Sequence, residues 1–187
     1  MPESTNVVVL FSGGLDSLLC ALLAERNEGG LTALSIDYGQ SDAELYAAAR
    51  LCTKYKWRQV RAKVTPFPGS LDPSGANLIR GRNAMLLSLA VATLPEEAGR
   101  IYIGSNADDY RDYPDCRGEF FAAFQSMCAA QGLRIIIKHP LLNLTKKEIV
   151  SQLRKRGAPL DETVSCYAGS PACGVCNACK LREAALA

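Results

Sequence analysis

Short apolar runs alternate five times with helical segments along this chain, and nothing else in the sequence limits the fold as tightly. Val7-Val8-Val9-Leu10-Phe11 is continuous, stops at Ser12-Gly13-Gly14, and reads as a strand buried on both faces. Further strands are predicted at 31–36, 58–64, 101–103 and 135–137. Between them, Leu15, Leu18, Leu19, Leu22 and Leu23 fall at helical spacing before Gly29-Gly30. Ser41-Asp42-Ala43-Glu44 has the form of a capping box, followed by Leu45, Ala48, Ala49 and Cys52 on one helical face. Residues 83–94 are apolar on nearly all sides, which predicts a buried helix. Phe120, Phe121, Phe124, Met127 and Cys128 form another stripe, closed by Gly132. Thr145-Lys146-Lys147-Glu148 is a second capping box, with Ile149 and Leu153 behind it. Residues 65–77, rich in Pro, Gly and Ser, read as a loop. Parallel strands need crossover helices, so the expected fold is α/β, an open five-stranded parallel sheet with helices on both faces. Ligands of such sheets sit at the carboxyl ends of the strands. That places 12–17, 37–40, 104–109 and His139 on one rim, with His139 read as structural.

The length of 187 residues suits one domain, expected over 1–187. Apolar residues at 48% and charged residues at 21% exclude a disordered or collagenous chain. A net charge of +2 argues against direct nucleic-acid binding or an anionic membrane surface. No apolar run reaches the roughly 18 residues of a membrane span, and the first ten residues lack the pattern of a secretory signal. A cytoplasmic location is expected, in which 8 cysteines are thiols or metal ligands rather than disulfides.

Ser12-Gly13-Gly14-Leu15-Asp16-Ser17 joins the first strand to the first helix. Two glycines let backbone N–H groups turn inward, and the helix N-terminus adds partial positive charge. Together they form a nest for an anion such as pyrophosphate. Ser12 and Ser17 add hydroxyl donors, while Asp16 beside phosphate calls for Mg²⁺ between them. The loop is not a Walker A sequence, since no Lys follows the glycines, and it lacks the G-x-G-x-x-G dinucleotide pattern.

Cys166, Cys173, Cys176 and Cys179 stand in the spacing C-x6-C-x2-C-x2-C. Two-residue gaps let thiolates converge on one tetrahedral centre, and Gly174 allows the turn. A closed structural zinc site fits this spacing, and so does an iron–sulfur cluster. Cys20, Cys52 and Cys128 fall on helical apolar faces and are expected in the core.

The S-G-G-x-D-S string resembles the pyrophosphate loop of the N-type ATP pyrophosphatases, which cleave ATP between the α and β phosphates. Further strings narrow the resemblance: Asp37-Tyr38-Gly39-Gln40, Gly81-Arg82-Asn83, the run 104–110, Tyr113-Pro114-Asp115-Cys116-Arg117 and the cysteine tail ending in Leu181-Arg182. In this order they resemble the 7-cyano-7-deazaguanine synthases, over nearly the whole chain. The resemblance implies an adenine nucleotide alpha hydrolase-like fold and a reaction in which ATP, ammonia and 7-carboxy-7-deazaguanine give the nitrile through an amide. Each half begins by activating an unreactive oxygen as its adenylate. It further implies ATP, Mg²⁺ and Zn²⁺ as cofactors, and a homodimer. Carried over residue by residue, it assigns the ATP phosphates and Mg²⁺ to Ser12, Gly13, Gly14, Asp16 and Ser17, flanked by Leu10, Phe11 and Leu15. Asp37, Tyr38, Gln40, Arg82 and Asn83 would approach the nucleotide, and Asp108, Tyr113, Asp115 and Arg117 the deazaguanine. Asp16, Ser17, Arg82 and Asp115 would be catalytic, and Cys166, Cys173, Cys176 and Cys179 would hold the zinc.

Three departures stand out. The family usually carries an Arg-His pair after the Gln, where this chain has Ser41-Asp42. Arg80 replaces a Pro, and the segment 65–80 is short. Two other readings therefore accompany the nitrile synthase: a ligase joining the activated carboxylate to another amine, such as one on a protein, and a zinc-stapled nucleotide-binding scaffold without turnover.

Overall fold

The computed structural model describes residues 6–64 and 79–187, with backbone only at 111 and 112. The predicted loop at 65–77 lies outside the described residues. Strands β1 (Val7–Leu10), β2 (Thr32–Asp37), β3 (Arg58–Lys63), β4 (Ala98–Tyr102) and β5 (Arg134–Lys138) form one sheet in the order β3-β2-β1-β4-β5. Every pairing is parallel. The helices are α1 (Leu15–Glu28), α2 (Asp42–Tyr55), α3 (Arg82–Thr93), α4 (Ala107–Asp112), α5 (Gly118–Ala130), α6 (Lys146–Lys155) and α7 (Asn177–Leu186).

Strand β1 shows why the sheet is covered twice. Side chains alternate across a strand. Val7, Val9 and Phe11 thus pack in one core with Leu18 and Leu19 of α1, Leu51 of α2 and Ile149 of α6. Val8 and Leu10 face the other core, with Leu87 of α3 and Phe121 of α5. A fully buried leucine such as Leu19 contributes roughly 1.5–3 kcal/mol. Cys20, Cys52 and Cys128 are buried in these cores, as their spacing predicts. His139 stacks on Phe121 at 5.1 Å between ring centroids, a packing role.

Helix α3 departs from its expectation: only Asn83, Leu87 and Ala90 are fully buried. Its apolar residues exceed what one sheet face can cover. The Thr145 box forms completely, with side chain and backbone bonds in both directions. At α2 the box does not form, and Ser41 acts as a simple N-cap. Ser41 Oγ accepts from Ala43 N at 3.2 Å, whereas Glu44 turns into the large cavity described below. Strand β4 begins earlier than its apolar residues suggest, because Arg100 N donates to Asn6 O at 2.8 Å and aligns a polar start. Strand β5 is an edge, and there Gln125 Oε1 of α5 accepts from Ile137 N at 2.9 Å.

The chain runs outward from β1 to β3, then returns to the far side of β1 as β4. That reversal is the topological switch point at which open α/β sheets bind ligands.

Candidate active site

A cavity of ≈ 270 Å³ opens above the carboxyl ends of β1, β2 and β4. Its floor is the turn after β1. Ser12 Oγ donates to Ser17 Oγ at 3.2 Å and accepts from Gly14 N at 3.3 Å, and Ser17 Oγ lies 3.0 Å from Gly14 O. The N-cap of α1 is Gly14, with no side-chain cap. The first-turn amides of α1 are therefore left for a ligand. Gly13 sits at φ 83, and a Cβ there would lie 2.5 Å from Ala48 N. It has to be glycine because the loop presses on the backbone of α2.

Charge is concentrated beside this loop. Asp16 Oδ2 is ion-paired with Lys146 Nζ, from the first residue of α6. Asp16 Oδ1 is buried without a hydrogen-bond partner. Burial and the negative charge of Asp16 push Asp109 up to about 6, with Lys146 opposing. Two carboxylates and an orphaned oxygen fit a hard divalent cation. Asp108 lies outside the cavity. Its Oδ2 accepts from Lys146 N at 2.9 Å, so it seats the start of α6.

Across the cavity stand Tyr38, Gln40, Glu44 and Arg82. Gln40 closes the turn after β2, accepting from Tyr38 N at 2.8 Å and donating to Ile36 O at 2.6 Å. Asp37 points away from the cavity and pairs with Lys63 at 3.4 Å. Burial pushes Tyr38 up, with Arg82 opposing, and pushes Glu44 up to about 7 against the same guanidinium. Arg82 forms no ion pair with a carboxylate among the described residues. A half-buried cation in that state is suited to an anionic ligand.

The Tyr113–Arg117 run divides. Asn83 Nδ2 donates to Asp115 O at 2.9 Å and to Cys116 Sγ at 3.4 Å, clamping the 3-10 turn Pro114–Cys116 against α3. Tyr113 lines the large cavity. Asp115 lines a neighbouring one of ≈ 240 Å³ that shares Arg82 and Tyr113 with it. Arg117 faces neither. Its Nε donates to Tyr110 O at 3.1 Å and its guanidinium lies over the Tyr110 ring.

Sequence reasoning assigned no role to Glu44, Asp109, Lys146 or Tyr167, all of which line the cavity. Lys146 and Glu44 were masked by their capping-box positions. Asp109 carried a signal in its place on the predicted rim.

The four tail cysteines come together, with every Sγ within 4.8 Å of the others. Backbone N–H groups point at them: Cys173 N donates to Cys166 Sγ at 3.2 Å, Cys176 N to Cys173 Sγ at 3.4 Å, and Cys179 N to Cys176 Sγ at 3.4 Å. Amides of Cys176 and Val175 hold the Cys173 thiol well below its ordinary range. An all-sulfur set of this size fits zinc, which takes four thiolates tetrahedrally. The tail also packs against the start of α2: a Cβ on Gly169 would lie 2.0 Å from Ser41 Oγ.

The family model described as Queuosine biosynthesis protein QueC matches residues 6–74 and 72–187. A protein of Aromatoleum aromaticum named 7-cyano-7-deazaguanine synthase is 38% identical over 212 residues, covering 98% of this chain and 94% of that protein. One of Methylobacillus flagellatus with the same name is 40% identical over 207 residues, covering 96% and 90%. Among solved structures, an NMN synthetase from Francisella tularensis aligns with a TM-score of 0.55 at 16% identity, covering 97% of this chain and 76% of that one. An NH3-dependent NAD synthetase from Campylobacter jejuni aligns at 0.51 with 18% identity, covering 86% and 68%. These two likenesses are of fold.

Proposed function

The chain belongs to the QueC family of queuosine biosynthesis, and from that premise we propose that it converts 7-carboxy-7-deazaguanine, ammonia and ATP into 7-cyano-7-deazaguanine. A carboxylate resists attack by an amine, so its oxygen first attacks the α-phosphorus of ATP and pyrophosphate leaves. Ammonia then adds to the acyl carbon, a proton is lost, and AMP departs with the C–O bonding pair, giving the amide. The amide oxygen is adenylated in turn with release of a second pyrophosphate, and departure of AMP with the C–O bonding pair and loss of both N–H protons leave the nitrile.

The observation that carries this reading is the uncapped N-terminus of α1 opening onto the cavity beside Asp16, Asp109 and Lys146. There the loop amides, Ser12 and Ser17 would hold the triphosphate tail, and Lys146 would neutralise charge on the departing pyrophosphate. Asp16 and Asp109 would hold Mg²⁺, whose charge offsets that of the phosphates when bound. Arg82, shared by the two cavities, is suited to the substrate carboxylate or the α-phosphate, and Asp115 to the N–H edge of the deazaguanine. Leu10, Phe11, Leu15 and Tyr38 would wall the adenosine. Zinc at Cys166, Cys173, Cys176 and Cys179 would be structural, since four thiolates leave no open position.

On the same reading the protein works in the cytoplasm as a homodimer, with ammonia as acceptor. Incubation with ATP, Mg²⁺, ammonia and 7-carboxy-7-deazaguanine is expected to yield the nitrile, AMP and pyrophosphate, resolved by chromatography and mass. No AMP above background would refute the proposal. An amide that accumulates on a protein amine without nitrile would favour the alternative acceptor.

A further inference from the structure

The cysteine tail touches the phosphate loop through one backbone bond: Val164 N donates to Gly13 O at 3.1 Å. The carbonyl of Val164 also lies 3.2 Å from where a Cβ on Gly14 would be. Val164 is thus laid against both glycines of the loop and lines the cavity.

Arg182 fixes Val164 from both sides. Its Nη1 donates to Thr163 Oγ1 at 2.7 Å and to Ser165 Oγ at 3.1 Å, the residues just before and after Val164. Its Nη2 donates to Leu160 O at 2.6 Å, and Thr163 Oγ1 donates to the same carbonyl at 2.6 Å. Thr163 is buried. Among the described residues Arg182 has no carboxylate partner. Its guanidinium is spent on neutral acceptors that hold one segment of chain. Arg182 stands one helical turn after Cys179 on α7, whose N-cap is Cys176, so the cysteine cluster sets the direction of the helix that carries it.

We infer that Arg182 is a positioning residue for the ATP phosphate loop, acting through Thr163 and Ser165 to present the Val164 amide to Gly13. This rests on the ATP reading above. The backbone of α2 also crowds Gly13, where a Cβ would lie 2.5 Å from Ala48 N. With Val164 released, the glycine turn can relax toward the cavity and the α1 amides lose their fixed aim at the ligand. Tail and nucleotide are then coupled through the Val164–Gly13 bond.

The test uses the full chain with R182M and R182K. Four quantities are read: bound zinc, amide exchange at Val164, affinity for an ATP analogue with a methylene between the α and β phosphates, and the KM for ATP against kcat. R182M is expected to keep its metal and helical signal, to exchange Val164 at least tenfold faster and to bind the analogue at least tenfold more weakly. KM for ATP should rise more than kcat falls, and R182K should lie between. R182M with its metal intact and wild-type affinity for the analogue overturns the inference. Should R182M lose its metal or fail to fold, T163V carries the same criteria, because it removes one of the two acceptors that flank Val164. A wild-type chain that binds no analogue overturns the ATP reading and this inference with it. Wild-type binding that both variants retain overturns this inference alone.

Discussion

Lys146 Nζ is ion-paired with Asp16 Oδ2, joining the first turn of α1 to the first turn of α6 at the mouth of the sheet. The pair is mostly shielded from water, with side-chain exposures of 15% and 24%. Removing one partner therefore leaves an uncompensated charge beside Asp109. K146M is expected to lower AMP release about 100-fold, the scale of losing one preorganised charge at a transferring group. D16N should lose activity similarly. AMP release at wild-type levels in D16N would remove the phosphate loop from the chemistry.

Glu44 makes stability depend on pH. Burial raises its carboxyl to about 7, with Arg82 opposing. A carboxyl raised above its unfolded value binds more protons when folded. Its contribution is then present in full below about pH 4.5 and is lost as pH rises toward 7. E44Q in the nucleotide-free chain is expected to remove a loss on the order of 2–3 kcal/mol across that interval. Denaturant midpoints of wild type and variant should diverge as pH rises from 5 to 8. Parallel profiles would show that Glu44 is solvated.

Gly13 to Ala should be among the most damaging single-atom changes in this fold. The left-handed backbone costs an alanine roughly 1–2 kcal/mol. The new methyl also meets two backbone atoms of α2, Ala48 N at 2.5 Å and Glu44 O at 2.9 Å. Backbone cannot rotate away as a side chain can. Thermal unfolding of G13A is expected about 10 °C below wild type, with nucleotide binding lost in whatever remains folded.

Much of this was legible in the residues. The strand Val7–Leu10 and the turn behind it could be read directly, because a strand covered on both faces is apolar without a break. The cysteine cluster was legible for a similar reason, since short gaps leave four thiols little choice of partner. Helix α7 was not legible: Ala178, Leu181, Ala185 and Leu186 make too slight a stripe to separate from a coil. Nor was the Lys146–Asp16 pair, which spans a sequence separation of 130 and exists only once the sheet has brought α1 and α6 together. Glu44 misled because a capping box and a cavity-facing carboxyl share one local pattern; the cavity and the nearby Arg82 are set by the tertiary fold.

Metal removal tests the tail. Wild type is expected to carry about one zinc per chain. Chelation, or C173S, should lower the melting temperature by at least about 5 °C and weaken the packing of α7 on α6. Elemental analysis beside thermal scans reads both. An unchanged melting point in a metal-free chain would make the cluster dispensable to the fold.

The Gln125 amide lying across the outer margin of β5 bears on how copies of this chain can meet. A second sheet laid alongside would have to evict that side chain before it could borrow the Ile137 N–H, trading one satisfied donor for another at no gain. At Ile137 the margin is closed from within, so a strand added there would gain no hydrogen bond at that donor.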